Sequence, residues 1–362
     1  MFKKLDWYII KKYLSTFFFT ALIISMISVI IDFSDKVEDF IEEPVTIWEI
    51  IRDYYLNFLP YINSLLWPLY ALIAVVFFTS RMAFNSEIIS ILNAGISFRR
   101  LMMPYLVGAS VVAGLHLVGN HIVIPQSNKV RLDFEHTYIW KYDDKGKKND
   151  VHLFISPGTK VYIRYYKKAQ NIARDFKIEK IVDNKLVYLL KANTAKWMEE
   201  TSKWRIKDYE VRTFDGISET IELGMGKHID TTLNLTPDDF VMFLNQKEMM
   251  DTKELRKFIS VSRERGVGNT KVYEVEIHRR TAEPFTIFIL TIIGMAVAAR
   301  KVRGGMGLHL AIGISIGAIY IFLSKFSITF ATNESLPPII GVWVPNIIFT
   351  LVAIILVNKA QK

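Results

Sequence analysis

Long apolar runs without charged residues occupy both ends of the chain, and a polar stretch separates them. Because an α-helix rises about 1.5 Å per residue, crossing the hydrocarbon core of a membrane takes roughly 20 apolar residues. Six runs come close to this length: 13–31, 54–80, 101–125, 284–299, 304–324 and 336–357. The pattern therefore predicts six transmembrane helices in two groups of three.

The first two runs carry further signals. Lysines precede the first run, but it lacks a small-residue cleavage site and is longer than the core of a signal peptide. We therefore expect it to be retained as a helix. The second run contains Pro60 and Pro68, which predict kinks or an interfacial start.

Between residues 129 and 230 the pattern changes to short alternating runs that are typical of strands. Five such runs are predicted, at 151–155, 160–165, 185–190, 203–206 and 220–223. Turn signals separate them at Pro157-Gly158, Asp183-Asn184 and Asp215-Gly216. The middle is predicted to be an inserted all-β domain, jelly-roll-like or an open β-sandwich. Such an architecture is compatible with a functional domain and with a decoration of a transporter.

From residue 251 to 283 the helical period returns, interrupted by Gly266 and Gly268, and leads into the fourth span. The predicted organisation has three parts. Residues 1–127 form the first membrane half with a short helix at about 82–95, residues 128–250 form the β domain, and residues 251–362 form a connecting helix and the second membrane half.

The basic residues near the membrane segments predict the orientation. All fall on one side of a six-span arrangement: Lys3, Lys4, Lys11, Lys12, Arg81, Arg99, Arg100, Arg300, Lys301, Arg303, Lys359 and Lys362. The opposite side receives an acidic loop that follows the first run. The positive-inside rule then places both termini in the cytoplasm and the β domain outside it.

Composition narrows the possible functions. The chain contains no cysteine, which excludes disulfides, thiolate zinc sites and cysteine nucleophiles. Its isoelectric point near 9.3 could indicate nucleic acid, but much of the excess positive charge flanks membrane segments, where basic residues set topology. We therefore predict no nucleic-acid partner.

Motifs for catalysis are absent from the sequence. No phosphate-binding loop occurs, and the glycines around Gly304 lack the lysine that such a loop needs. His116 and His121 lie five residues apart, which is poor helical spacing for sharing a metal. No G-x-S-x-G motif occurs either. We predict no catalytic residue, no metal and no cofactor, so that any ATP hydrolysis comes from a separate subunit.

The segment 81–95, on the predicted cytoplasmic side, has the features of a short helix. Asn85 or Ser86 can cap it, Glu87 suits its first turn, and Gly95 can end it. Its apolar residues, Ile88, Ile91 and Leu92, share one face. Two interpretations remain open at this point: a turn at the membrane surface, or a docking helix for a soluble motor.

Charged residues follow the first run directly, at Asp32, Asp35, Lys36, Glu38 and Asp39. Charges at that depth often face a bundle interior or a cavity and mark functional sites. A solvated loop is the alternative.

Several stretches together resemble the lipopolysaccharide export permeases of the LptF/LptG family. They are the segment YEVEIHRRTAEPF at 273–285 continuing to Arg300-Lys301, Ser86-Glu87 with Ala94-Gly95, Leu235-Thr236-Pro237, and Pro337-Pro338. The resemblance covers nearly the whole chain in the same order. It implies a bacterial inner-membrane subunit that works with a paralogous permease subunit, as a hetero- or homodimer, and with a cytoplasmic ABC ATPase dimer.

The resemblance also implies the route of the substrate. The first, second and fifth spans would line a cavity for lipopolysaccharide, and the β domain would pass it to periplasmic bridge proteins. Glu87, with Arg81, Ser86 and Ile88, would couple to the ATPase. The residues implied in substrate binding are Lys36, Asp35, Arg279, Arg280, and on the β domain Tyr162 and Tyr188.

One departure from the family concerns the outer end of the first span. Family members often carry lysines there, whereas this chain has Asp32, Asp35 and Asp39 with only Lys36 nearby. Carboxylates repel a phosphorylated lipid unless divalent cations bridge them or a partner subunit compensates. A lipid with fewer phosphates would also reconcile this departure. The alternative function is a non-transporting, membrane-anchored assembly or scaffold protein whose β domain binds envelope partners.

Overall fold

A computed structural model describes residues 3–140, 149–167, 170–240, 246–266, 270–300, 305–333 and 336–360. The chain divides into two compact units. The membrane unit comprises Met1–Ile139, Lys247–Leu255 and Lys271–Lys362, and the β unit comprises Trp140–Gln246 and Arg256–Thr270.

Nine helices can be traced in the described residues. They are α1 (Lys4–Glu42), α2 (Ile47–Phe84), α3 (Glu87–Asn93), α4 (Phe98–Ile139), α5 (Gln246–Met249), α6 (Thr252–Glu264), α7 (Lys271–Ala298), α8 (Gly305–Thr332) and α9 (Pro338–Ala360). Six of them, α1, α2, α4, α7, α8 and α9, are long and apolar enough to cross a membrane. The predicted 3+3 arrangement around an inserted β domain is confirmed. The end of the membrane unit where α1 finishes and α2 begins is called the distal end below, and the opposite end the proximal end.

The helices extend beyond the predicted apolar runs. At 39 residues, α1 is about 58 Å long, nearly twice the roughly 30 Å of a hydrocarbon core. The acidic loop expected after residue 31 is therefore wrong for residues 32–42, which continue the helix. Charged residues mark the end of the apolar part of a segment, but they need not end the helix. Asp32 and Lys36 lie four residues apart and form an ion pair at 2.9 Å between Nζ and a carboxylate oxygen, which is compatible with a continued helix.

Glycines allow three helices of the membrane unit to approach closely. A Cβ added at Gly294 of α7 would lie 3.1–3.3 Å from Leu72, Val75 and Val76 of α2. Gly313 and Gly317 of α8 are four residues apart and also face α2. This small-residue spacing is typical of tightly packed membrane helices.

Proline residues inside the spans leave backbone carbonyls without partners, because proline has no N–H to donate to the residue four positions earlier. Side chains of neighbouring helices donate to three of these carbonyls. His116 Nε2 lies 3.1 Å from the Ser64 oxygen below Pro68, and Asn120 Nδ2 lies 3.3 Å from the Arg280 oxygen below Pro284. The α2 helix continues through Pro60 and Pro68, and its irregularity lies earlier, in a π-helical segment at Ile50–Tyr55.

The third carbonyl belongs to Gly341, four residues before Pro345 in α9. The Ser327 hydroxyl of α8 donates to it at 2.5 Å. Each of the three donors thus satisfies a group that lipid cannot satisfy, and each joins two helices.

The β unit contains one antiparallel sheet with its strands in sequential order. The strands are β1 (Asn149–Ser156), β2 (Thr159–Lys167), β3 (Ile172–Val182), β4 (Lys185–Met198), β5 (Lys203–Asp215) and β6 (Ser218–Thr231). The sheet is open, since β1 and β6 do not pair with each other among the described strands. The predicted open all-β domain is confirmed, with one strand more than the sequence pattern indicated.

The missed strand is β3, and its own sequence explains the omission. Ala173 and Phe176 are both buried, but two exposed residues separate them. One of these, Asp175, has a φ of 50°, so the strand changes the face it presents and the period of two is lost. Pairing with β2 and β4 is continuous through this point.

One face of the sheet buries the core of the β unit. Trp204 is fully buried at its centre and stacks near Phe176. Its indole N–H donates to the Leu235 carbonyl at 2.8 Å, which holds the segment after β6 against the sheet. The edge strand β6, by contrast, leaves Leu223 and Met225 exposed.

The carbonyl of Gly341 provides a test of the proline-associated contacts. We expect Ser327→Ala to lower the free energy of unfolding by about 1–2 kcal/mol, because it leaves a buried carbonyl unpaired. In a Pro345→Ala background the new backbone N–H takes the place of the hydroxyl, and the same substitution should cost much less. Denaturant unfolding of the four proteins in detergent measures this coupling.

Ser315→Ala is the matched control. Its hydroxyl bonds only to Ala311 of its own helix, so the expected loss is small. Equal losses for Ser327→Ala with and without Pro345 would contradict the interpretation.

Candidate functional site

A cluster of charged side chains joins α1, α2 and α4 at the distal end. The Lys36 ammonium lies 2.9 Å from Asp32 and 3.3 Å from Glu135. It also contacts the Tyr54 hydroxyl, which in turn donates to Asp32 at 2.9 Å. Lys36 is therefore surrounded by partners within the chain.

Arg131 completes this distal cluster. Its guanidinium bonds to Glu135 at 2.8 Å and lies 4.0 Å from the centre of the Tyr61 ring. Two cations and two carboxylates thus balance, so Asp32 is neutralised by Lys36. Asp35 lies outside the cluster on the exposed face of α1.

Two arginines of α7 lie on adjacent positions but have different surroundings. The buried Arg280 bonds to Glu276 at 2.9 Å and donates to the carbonyls of Met250 and Lys247, both at 2.9 Å. It fastens the start of the connecting segment to α7. This role occupies its guanidinium.

Arg279 is more accessible, with 28% of its side chain exposed. It lies between Glu276 at 3.0 Å and Glu283 at 2.8 Å. Asn120 donates to the other oxygen of Glu283 at 3.2 Å. Arg279 is thus oriented by two carboxylates while part of its surface faces open space.

Two cavities adjoin Arg279. The larger, about 190 Å³, has polar walls that include Asn120, Asn128 and Glu248. The smaller, about 70 Å³, lies among apolar side chains such as Leu69 and Leu290. Four residues line both cavities: Leu65, Arg279, Lys325 and Ile328.

Lys325 is a candidate that the sequence reasoning missed. The predicted fifth span ended at residue 324, whereas α8 continues to Thr332, which puts this lysine inside the helix. Among the described residues, no carboxylate forms an ion pair with it. A lysine inside a membrane-spanning helix marks a functional candidate. The sequence could have indicated Lys325 only if the end of α8 had been predicted correctly.

The short helix α3 lies at the proximal end, between α2 and α4. Ser86 occupies its N-cap position with a φ of 61°, although its hydroxyl makes no capping bond. Glu87 is half-buried and accepts a hydrogen bond from Tyr8 of α1 at 3.3 Å. As predicted, the helix stops before Gly95, whose φ is 81°.

Two residues predicted for coupling differ in exposure. Arg81, in the last turn of α2, is exposed. Ile88 has no exposed surface, because it packs with Phe98 and Met82 in the core of the membrane unit. Its side chain anchors α3 and offers no surface to another protein.

In the β unit, Tyr162 lines a groove of about 780 Å³ that crosses the sheet from β2 to β6. Its phenol donates to Asp150 at 2.6 Å, and this bond raises the pKa of Tyr162. Lys177 lies 5.1 Å from the centre of the ring. Tyr188 does not line this groove; it is half-buried and packs against the core of the sheet.

No group of three or more metal-ligating side chains occurs within the residues that can be described. The membrane unit instead contains three features: the neutralised distal cluster, a pair of cavities that share Arg279 and Lys325 in their linings, and the anchored helix α3 at the proximal end.

Comparison with known proteins identifies relatives along nearly the whole chain. The model of the family described as "Lipopolysaccharide export system permease LptF/LptG" matches residues 7–359. The lipopolysaccharide export system permease protein LptG of Haemophilus influenzae is 21% identical over 369 aligned residues, covering 96% of each chain.

The distal cluster predicts a large effect on stability. Glu135→Gln leaves the buried Arg131 and the partly buried Lys36 with one carboxylate between them. We expect the free energy of unfolding to fall by about 3–5 kcal/mol, the usual result of breaking a buried ion pair. Denaturant unfolding in detergent measures it.

The exposed pair Lys129–Glu254 is the matched control, at 3.2 Å and about half exposed on both sides. Glu254→Gln should cost less than about 1 kcal/mol. Similar losses for the two variants would show that the cluster is not a buried network.

Proposed function

This chain belongs to the LptF/LptG family of lipopolysaccharide export system permeases, and we propose that it is the transmembrane subunit of an ATP-driven exporter that extracts lipopolysaccharide from the inner membrane. As a member of this family it is a transport subunit rather than an enzyme. The distribution of Lys and Arg supports cytoplasmic termini and a periplasmic β unit. The distal end then lies at the outer leaflet.

The observation that carries the proposal is the pair of cations at the junction of a polar and an apolar cavity. Lipopolysaccharide is an amphiphile whose phosphorylated sugars are joined directly to acyl chains. A phosphate bound by Arg279 and Lys325 would direct the sugars toward the polar cavity and only the first carbons of an acyl chain toward the apolar one. The charge of Lys325 is available for this contact because no described carboxylate pairs with it.

The other candidates for substrate contact have different surroundings and, on this proposal, different roles. Lys36 and Arg280 are held by carboxylates of the chain, so they would hold the helices together rather than bind phosphate. Asp35 is exposed and would repel phosphate unless a divalent cation bridged the two. At this end Asp32 is neutralised by Lys36, whereas Asp35 and Glu38 are exposed.

ATP hydrolysis would be supplied by a separate cytoplasmic ABC ATPase dimer that docks at α3. Glu87 and Ser86 at its start, together with Arg81, would form the contact. Ile88 would hold the helix in the bundle. The bond between Tyr8 and Glu87 supports a mechanical link, because a displacement of α3 would be transmitted to α1.

The β unit would pass lipopolysaccharide to periplasmic bridge proteins. Its two edge strands, β1 and β6, have no further partner among the described strands and are suited to the addition of a strand from another sheet. The groove beside Tyr162, with Tyr188 on the neighbouring core, would lie on this route. A paralogous permease subunit would complete the transporter, and exposed aromatic side chains on α8, including Phe322 and Phe326, support a helix-to-helix contact there.

Photo-crosslinking in cells tests the route. A probe at Ile328, which lines both cavities, should form ATP-dependent adducts with lipopolysaccharide. Lys325→Gln should reduce the adducts by about five- to tenfold, because one charge-assisted hydrogen bond is lost, whereas Lys325→Arg should retain most of them. A probe at Ile340, on the exposed surface of α9, is the control.

Absence of lipopolysaccharide adducts at Ile328, with only proteins captured by probes in the β unit, would contradict transport and favour the scaffold function. Adducts that are equal at Ile328 and Ile340 would indicate membrane lipid around the protein rather than a cavity.

Charge reversal tests coupling to the ATPase. Glu87→Arg should abolish co-purification of the ATPase with the membrane subunits, because the proposed contact needs a carboxylate. Asn93→Arg, which places an arginine at the exposed far end of α3, should leave co-purification nearly unchanged. Intact co-purification of Glu87→Arg would count against α3 as the docking element.

A further inference from the structure

A groove on the membrane unit lies apart from the proposed substrate path. It is formed by α4, α7 and α9 and has a volume of about 260 Å³. Arg99 and Asn358 lie at its proximal end, and Ile289 and Thr350 lie deeper. The separation of eight positions between Thr350 and Asn358 corresponds to a depth of about 12 Å along the helix.

The groove has the shape and lining of a site for a hydrocarbon chain. Its walls are mainly apolar, and its surface belongs to helices that can span a membrane. Its volume is slightly below that of typical ligand pockets, about 300–1,000 Å³. A further α-helix, about 10 Å across, does not fit such a space.

The proximal end of the groove is cationic. Arg99 is exposed and has no ion pair within the described part of the chain, unlike the adjacent Arg100, which bonds to Asp6 at 2.6 Å. Arg300 contacts the backbone carbonyl of Lys359, so both of these cations also lie at this end. Cations at a membrane interface attract anionic headgroups.

We propose that this groove binds an anionic phospholipid of the cytoplasmic leaflet. One acyl chain would lie along α7 and α9, and the phosphate would accept hydrogen bonds from the Arg99 guanidinium and the Asn358 amide. A phospholipid would contact both the cations at the proximal end and the apolar part of the groove. Free phosphate would contact only the cations. The proposal does not depend on which lipid the protein exports.

Native mass spectrometry of the full-length protein in detergent tests this site. Phosphatidylglycerol and phosphatidylcholine with identical acyl chains are the probes. The unmodified protein should bind phosphatidylglycerol about fivefold more tightly, a factor that one interfacial charge contact supplies. Arg99→Gln should remove this preference and Arg99→Lys should keep most of it. Lys11→Gln, an exposed proximal cation outside the groove, should leave it unchanged.

A second pair of variants tests the apolar part of the site. Thr350→Phe fills the deeper part of the groove and should weaken binding of both lipids. Leu351→Phe places the same ring on the neighbouring exposed position and should change neither. The proposal is overturned if the unmodified protein shows no preference, if Lys11→Gln acts like Arg99→Gln, or if the two phenylalanine variants behave alike.

Discussion

The arrangement of the membrane unit depends on one constraint: a backbone carbonyl within the apolar part of a membrane needs a donor from the protein. The carbonyls of Ser64, Arg280 and Gly341 lack a backbone donor because the residue four positions later is a proline. Side chains of other helices donate to them instead. His116 and Asn120 lie four residues apart on α4 and reach α2 and α7 respectively. One face of α4 therefore joins the two membrane halves, and Ser327 joins α8 to α9 in the same way. The positions of these helices are set by directional bonds as well as by the close approach at Gly294, Gly313 and Gly317.

Buried charged side chains also need a partner from the protein, and this need distinguishes residues that hold the structure from candidates for ligand contact. Arg131, Glu135, Glu276 and Arg280 are buried, and each is paired. These four residues stabilise the helix bundle through their ion pairs. Lys325 and Arg99 differ, because each adjoins a cavity or groove and neither has an ion pair in the part of the chain that is described. Both side chains are exposed, so their charges can reach an anionic lipid, whereas the charges of the four buried residues are taken up by one another.

The sequence predicted the six spans because membrane insertion depends on apolarity summed over a segment, which local errors hardly affect. The ends were less predictable. Charges after residue 31 indicated the end of the apolar region, but α1 continues to Glu42, and the same kind of error at residue 324 concealed Lys325. In the β unit the strand β3 was missed because Asp175 breaks its alternation. The bonds to the proline-associated carbonyls join residues up to 160 positions apart, and no local pattern reports such a pairing.

An exporter of the proposed kind must both bind its substrate and release it. A site made only of free cations would hold a phosphorylated lipid tightly and would oppose its departure. Arg279 is already neutralised by Glu276 and Glu283, so a phosphate gains less from it than from an unpaired arginine, and the carboxylates regain the guanidinium when the lipid leaves. On the proposed function, Lys325 would then supply the net attraction. Passage through a pore or cavity requires binding that is favourable enough for entry and weak enough for exit. Lys325, which has no ion pair within the described residues, beside the compensated Arg279 would meet both conditions.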